Sequence, residues 1–92
     1  MKKRYKAFVV SHHLVERIYD MLIYFDFFKN RTESEYILKE KINSKMNNIY
    51  YIEALATYFE KKLKKHRNNV EIRCNLVDLL YDLDHLKQYL SE

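Results

Sequence analysis

The sequence predicts an all-α fold, a compact bundle of three to four antiparallel helices that forms a single helical domain over residues 1–92. Glycine and proline are both absent, which removes residues on which most β-hairpins and flexible linkers depend. Nine Tyr and five Phe residues supply enough ring surface to order a short chain. Four segments carry apolar residues at helical spacing. The predicted helices cover residues 5–29, 33–47, 49–66 and 69–90, with short asparagine-rich turns between them.

The first predicted helix has a regular apolar stripe, made of Leu14, Ile18, Met21, Phe25 and Phe28. Steps of four and three residues place these side chains on one face of a helix. A short N-terminal strand over residues 5–10 is the minority alternative, because this stretch is rich in β-forming side chains. A lone strand would lack a pairing partner, so we prefer the helix.

The second and third predicted helices are separated by a turn at Asn47–Asn48. Thr32 and Glu35 have the spacing of a capping box, which predicts a helix start near residue 33. Asparagine tolerates the left-handed backbone that glycine would otherwise supply, so Asn47–Asn48 is expected to end this helix. The predicted core residues of the two helices are Ile37 or Leu38, Ile42, Met46, Ile49, Ile52, Leu55, Phe59 and Leu63.

The fourth predicted helix begins near Asn68, which has cap spacing with Glu71. Its apolar stripe is the most regular in the chain and consists of Ile72, Leu76, Leu79, Leu83, Leu86 and Leu90. Two interpretations of this stripe remain open. It is either the centre of the bundle or the seam of a homodimer.

The composition limits the cellular environments in which we expect this protein. Cys74 is the only cysteine, which excludes an intrachain disulfide and fits a reducing cytoplasm. The apolar runs are too short for a signal-peptide core or a membrane span, so we expect no membrane partner. Residue types with AT-rich codons dominate, which indicates a phage, a mobile element or a low-GC bacterium, and hence the cytoplasm of a bacterial host cell. The same codon bias adds lysine, so lysine-rich segments are weaker evidence of function here.

A basic segment at the end of the third predicted helix is the most conspicuous polar feature of a chain with net charge +4. It consists of Lys61, Lys62, Lys64, Lys65 and Arg67. These cations could contact the phosphates of DNA or RNA, or an acidic partner. They could equally complement the helix dipole in solvent. The candidate stacking residues nearby are Tyr50, Tyr51 and Tyr58, and a second basic cluster is formed by Lys2, Lys3 and Arg4.

Aromatic residues near the end of the first predicted helix indicate a protein interface. Phe25, Phe27 and Phe28 cannot all point into the core from one helix. Tyr24 and Phe27 are therefore candidates for exposed rings that bind a protein partner.

An acidic face is predicted on the fourth helix, where Asp78, Asp82 and His85 lie at positions i, i+4 and i+7. Asp82 and His85 also have the carboxylate-x-x-His spacing of di-metal helix bundles. The face points away from the leucine stripe, however, so a solvated acidic surface is the preferred interpretation. We predict no metal, no cofactor and no catalytic residue.

These features predict a small helical interaction protein that is not an enzyme. It would bind and modulate or inhibit a larger macromolecule, such as a host nucleic-acid enzyme or a defence complex. The alternative is a nucleic-acid-binding module that uses the basic segment, and a metal-dependent bundle enzyme comes third. A helix-turn-helix over residues 32–60 is disfavoured, because its second helix would present Tyr, Glu and Thr to the bases.

Overall fold

The computed structural model describes residues 2–29 and 32–91, with side chains from residue 13 onward. It contains four helices, which are α1 (Lys2–Tyr24), α2 (Glu35–Asn43), α3 (Ile49–Lys65) and α4 (Val70–Ser91). The prediction of an all-α bundle is confirmed. The alternative of an N-terminal strand is wrong, because residues 5–10 lie within α1.

Helix α1 ends five residues earlier than predicted, at a left-handed turn. Asp26 has φ of 55°, and among the described residues it is the one non-glycine with positive φ. The backbone N–H of Asp26 donates to the carbonyl of Ile23 at 3.0 Å, and that of Phe27 donates to the carbonyl of Leu22 at 2.9 Å. This pattern is a common helix terminator that normally uses glycine at the left-handed position. In a chain without glycine, Asp26 occupies that position instead.

Polar side chains cap the N-termini of α2 and α4, at positions one or two residues after those predicted. The Ser34 hydroxyl, rather than Thr32, accepts from the backbone N–H of Ile37 at 3.3 Å. The Asn69 side chain, rather than Asn68, accepts from the N–H of Ile72 at 3.2 Å. The predicted and the observed cap residue are both of types that favour the N-cap position, so spacing alone cannot select between them.

Asparagine marks the turn before α3, but for a different reason from the one predicted. Asn48 has φ of −99°, which is extended backbone, and its side chain accepts from the N–H groups of Tyr50 and Tyr51 at 2.9 and 3.3 Å. It therefore begins α3 as an N-cap rather than ending α2 in the left-handed conformation. Helix α2 ends at Asn43, four residues before the predicted end, and residues 44–47 form turns. The third predicted turn residue, Asn30, lies outside the described residues.

Helix α4 lies at the centre of the bundle. It packs against α1 on one side and α3 on the other, and α2 packs against α1. Lys87, near the end of α4, pairs with Glu53, near the start of α3, at 3.8 Å, so these two helices run antiparallel. In the described part of the chain α2 does not pack against α3, which rules out the packed helix pair of a helix-turn-helix.

The leucine stripe of α4 is the core of the chain itself. Leu90 is half-buried, and the fully buried members of the stripe are Ile72, Leu76, Leu79, Leu83 and Leu86. Because α1 and α3 of the same chain cover these side chains, the stripe is not free to form the seam of a homodimer. The remaining core comes mainly from Leu14, Ile18, Met21, Leu38, Ile42, Met46, Ile52, Leu55 and Phe59.

Truncation of the α4 core should destabilise the fold strongly. Leu76→Ala or Leu83→Ala removes a fully buried side chain and should lower the free energy of unfolding by about 2–5 kcal/mol. Val77→Ala is the matched control, since Val77 is half-exposed on the same helix and its loss should change stability by less than about 0.5 kcal/mol. Urea unfolding followed by circular dichroism measures both. If Leu76→Ala and Val77→Ala lowered the free energy of unfolding equally, the placement of the stripe in the core would be contradicted.

The left-handed turn at Asp26 gives a prediction of opposite sign. Glycine has no Cβ to clash in this conformation, so Asp26→Gly should stabilise the protein by about 1 kcal/mol. Asp20→Gly, inside α1, should instead cost about 0.3 kcal/mol, the difference in helix propensity between Asp and Gly. The same unfolding assay compares the two variants. If both destabilise alike, Asp26 does not adopt the left-handed conformation in solution.

Candidate functional site

The segment that follows α1 folds onto the C-terminal half of α3. The ring of Phe25 lies 6.5 Å from the ring of Tyr58 and 5.2 Å from the ring of His66. The ring of Phe27 lies 5.3 Å from that of Tyr58. The turn at Asp26 redirects the chain so that these contacts form, because a helix continued to residue 29 would carry the rings away along α1.

Part of this aromatic cluster is exposed to solvent. Phe25 and Phe28 are half-buried against the core, whereas Tyr24 is 55% exposed and Phe27 is 51% exposed. The prediction that the neighbouring phenylalanines divide between core and surface therefore matches the structure. Phe27 and Tyr24 are the two rings that face outward.

A lysine of the basic segment is part of the same cluster. The Lys62 ammonium lies 5.2 Å from the ring centroid of Phe25 and 5.4 Å from that of Tyr58. A cation at this distance over a ring face is attracted by the electrons of the ring. Burial also raises the pKa of the Tyr58 hydroxyl above its ordinary value of 10.0. The aromatic and basic features, which the sequence presents as separate, therefore meet at Lys62.

The other cations of the basic segment are exposed and lack carboxylate partners among the described residues. These cations are Lys61, Lys64, Lys65 and Arg67. Several described cations outside this segment form ion pairs within the fold. Lys39 pairs with Glu16 at 2.6 Å, Lys41 pairs with Glu33 at 2.6 Å, and Arg17 pairs with Asp82. Uncompensated positive charge is thus concentrated at the C-terminal end of α3.

Helix geometry decides which lysines flank the rings. At about 100° per residue, Lys61, Lys62 and Lys65 all lie within about 60° of Tyr58 around α3. Lys64 lies about 120° from Tyr58 and faces a different direction. We define the aromatic–basic surface as the residues on the shared side, which are Tyr24, Phe27, Tyr58, Lys61, Lys62 and Lys65.

The remaining predicted stacking residues lie at the other end of α3. Tyr50 is exposed, and Tyr51 is half-buried with the Lys45 ammonium 5.4 Å from its ring centroid. Tyr50 is separated from Lys62 by twelve helical residues, or about 18 Å. The structure therefore does not bring Tyr50 and Tyr51 together with Tyr58. The side chains of Lys2, Lys3 and Arg4 lie outside the described residues.

The predicted acidic face is engaged in contacts within the fold. Asp82 accepts a hydrogen bond from the Arg17 guanidinium, which joins α4 to α1. The ring of His85 lies 4.4 Å from that of Tyr81, and Asp78 is exposed. Asp78 and Asp82 line a groove of about 430 Å³ between the two helices. Within the residues that the structure describes, no three His, Cys, Asp or Glu side chains are grouped so that they could hold a metal ion.

Tyrosine ionisation gives a pH-dependent prediction for this end of the molecule. Burial raises the pKa of Tyr58 above its ordinary value of 10.0, so the folded state holds the phenolic proton more tightly than the unfolded state. The resulting stabilisation is complete below the ordinary pKa and is lost as pH rises through the raised value. Tyr58→Phe should therefore move the alkaline unfolding midpoint to higher pH. Unfolding at neutral pH is the control, and identical alkaline profiles would contradict the burial of this phenol.

Comparison with protein-family models, with curated protein sequences and with solved structures gives no match for this chain. None of the helices, over their described residues, combines the length and the apolar character needed to cross a membrane. We therefore infer the function from the geometry of the aromatic–basic surface.

Proposed function

We propose that this protein is a small, non-catalytic helical binding protein that modulates or inhibits a larger macromolecule by covering part of its surface. One observation carries the proposal. Phe27 and Tyr24 are about half-exposed in a ring cluster that includes Tyr58. Lys61 and Lys65 lie on the Tyr58 side of α3, and no described carboxylate neutralises them. Aromatic anchors with a charged rim are typical of surfaces that bind another macromolecule.

The two grooves among the described residues differ in charge from the aromatic–basic surface. The groove between α1 and α4 contains the ion pair between Arg17 and Asp82. A second groove, of about 420 Å³ between α3 and α4, contains Glu53 and Lys87, which pair at 3.8 Å. Both grooves keep carboxylates beyond these pairs, Asp20 and Asp78 in the first and Glu60 and Asp84 in the second, so both are acidic, whereas the aromatic–basic surface is basic.

We place this interaction in the cytoplasm of a low-GC bacterial cell, with the gene carried by that bacterium, a phage or another mobile element. The composition rich in AT-coded residues and the single cysteine support this placement. A nucleic-acid enzyme or a defence complex is the kind of large assembly that we expect as the partner.

Affinity capture from the lysate of such a cell, with and without nuclease treatment, tests the proposal. The native chain should recover a macromolecular partner in stoichiometric amount. Phe27→Ser removes an exposed anchor and should weaken capture by about 30-fold, the effect of losing a strong interface residue. Tyr50→Ser is the matched control, because it removes an exposed ring from the opposite end of α3.

Thermal unfolding of each variant should confirm that the fold is retained before capture is compared. Tyr24→Ser gives a second, independent change at the same surface. Recovery of no stoichiometric partner would refute the proposal. Equal recovery by the native chain, Phe27→Ser and Tyr24→Ser would show that binding does not use the aromatic–basic surface.

A further inference from the structure

We propose that the aromatic–basic surface binds single-stranded nucleic acid, with Phe27 and Tyr24 stacking on bases and Lys61 and Lys65 contacting phosphates. This inference rests on the proposed function and names the chemical class that the surface contacts. It commits to a nucleic acid rather than to an acidic protein.

The exposed rings are held in place and keep a free area for stacking. Phe27 meets Phe28 at 5.2 Å and an interplanar angle of 88°, and it meets Tyr58 at 5.3 Å and 83°. Tyr24 meets Phe25 edge-on at 5.1 Å and 80°. These edge contacts fix the orientation of the rings, so little conformational entropy is lost when a base stacks on them. Base–aromatic stacking of this kind tolerates any base sequence.

The lysines suit a chain of phosphates. Lys61 and Lys65 lie one turn apart on α3, about 6 Å along the helix axis, which resembles the spacing of neighbouring phosphates in an extended strand. Lys62 lies between them in sequence and remains over the rings of Phe25 and Tyr58. Further cations without a carboxylate partner in the described chain lie close by, at Lys29, Arg67 and Arg73. The Arg73 guanidinium donates to the backbone carbonyl of Arg67 at 3.4 Å.

Two arguments favour a single strand over the other partners. In a duplex the bases stack on one another, so Phe27 and Tyr24 would find no free base face. Lysine is depleted in protein–protein interfaces, where arginine is enriched, yet lysine supplies every cation of the aromatic–basic surface. A single strand offers phosphates to the lysines and unstacked bases to the aromatic rings, so it matches both parts of the surface.

Two carboxylates lie near the surface, Asp20 and Asp26. Asp20 is exposed on α1, one turn before Tyr24 on the same side of that helix. Asp26 lies between Phe25 and Phe27 in the chain and is exposed. Glu60 lies about 200° from Tyr58 around α3 and so faces away. Asp26→Asn keeps a side chain that tolerates the left-handed turn and removes the negative charge. This variant should bind single strands about two- to fivefold more tightly, the effect of removing one exposed like charge from the phosphate path.

Fluorescence anisotropy with labelled, unstructured single strands of DNA and RNA, and with a duplex of equal length, tests the inference on the full chain. Single strands should bind at low salt and should bind more tightly than the duplex. If four phosphates are neutralised, affinity should fall about 50-fold between roughly 50 and 200 mM salt, which corresponds to a slope of about −2.8. A preference for DNA or for RNA supports the inference equally.

Matched variants separate the two contributions. Lys61→Gln/Lys65→Gln should reduce the salt slope by about 1.4, the share of two phosphate contacts. Lys41→Gln/Lys45→Gln removes the same charge from the α2 end and should leave the slope unchanged. Phe27→Ser should weaken binding by about 5- to 10-fold at an unchanged slope, since stacking is insensitive to salt. Tyr50→Ser should bind like the native chain.

Three results would overturn the inference. The first is that single strands do not bind at low salt. The second is that the duplex and the single strand bind equally and Phe27→Ser has no effect. The third is that poly-glutamate binds more tightly than the single strands and its binding also depends on Phe27. The third result would identify an acidic protein as the partner. None of them refutes the proposed function, which depends separately on capture of a partner from lysate with or without nuclease treatment.

Discussion

Burial of the α4 leucine stripe between α1 and α3 is the constraint on which the rest of the structure depends. A chain of 92 residues can support one modest core, and α4 supplies its central row of side chains. Helices α1 and α3 do not pack directly against each other in the described structure but meet α4 on opposite sides. One flank of α3 is therefore left uncovered by helices. The segment that follows α1 covers part of this flank, and the aromatic–basic surface is built there.

The absence of glycine shapes this connection. A helix that must stop and turn sharply needs a left-handed residue, and Asp26 supplies it at some cost in backbone strain. The turn places Phe25 against Tyr58 and His66 and leaves Phe27 at the surface. The exposure of Phe27 is thus a direct consequence of the left-handed turn that ends α1. The cation–π contacts of Lys62 then join these rings to α3.

Charge within the fold is distributed unevenly, and this distribution separates two surfaces that look similar in sequence. The acidic face of α4 is tied to α1 through the pair between Arg17 and Asp82, so part of its charge serves the fold. The basic end of α3 has no comparable partner among the described carboxylates. Desolvating such cations is favourable only when an anion replaces the lost water, which is why this end, rather than the acidic face, is the better candidate for binding.

The sequence by itself determined the helical class, a bundle of three to four helices and nearly all of their core faces, because hydrophobic spacing reports directly on which side of a helix is buried. It placed the ends of α1 and α2 too late and assigned the caps before α2 and α4 to nearby residues, because these depend on individual backbone angles that spacing does not encode. The tertiary structure alone decided that the α4 stripe is internal and that Phe27 packs against Tyr58, next to the basic segment. Each of these facts concerns residues distant in the chain, whose proximity is set by helix packing rather than by local pattern.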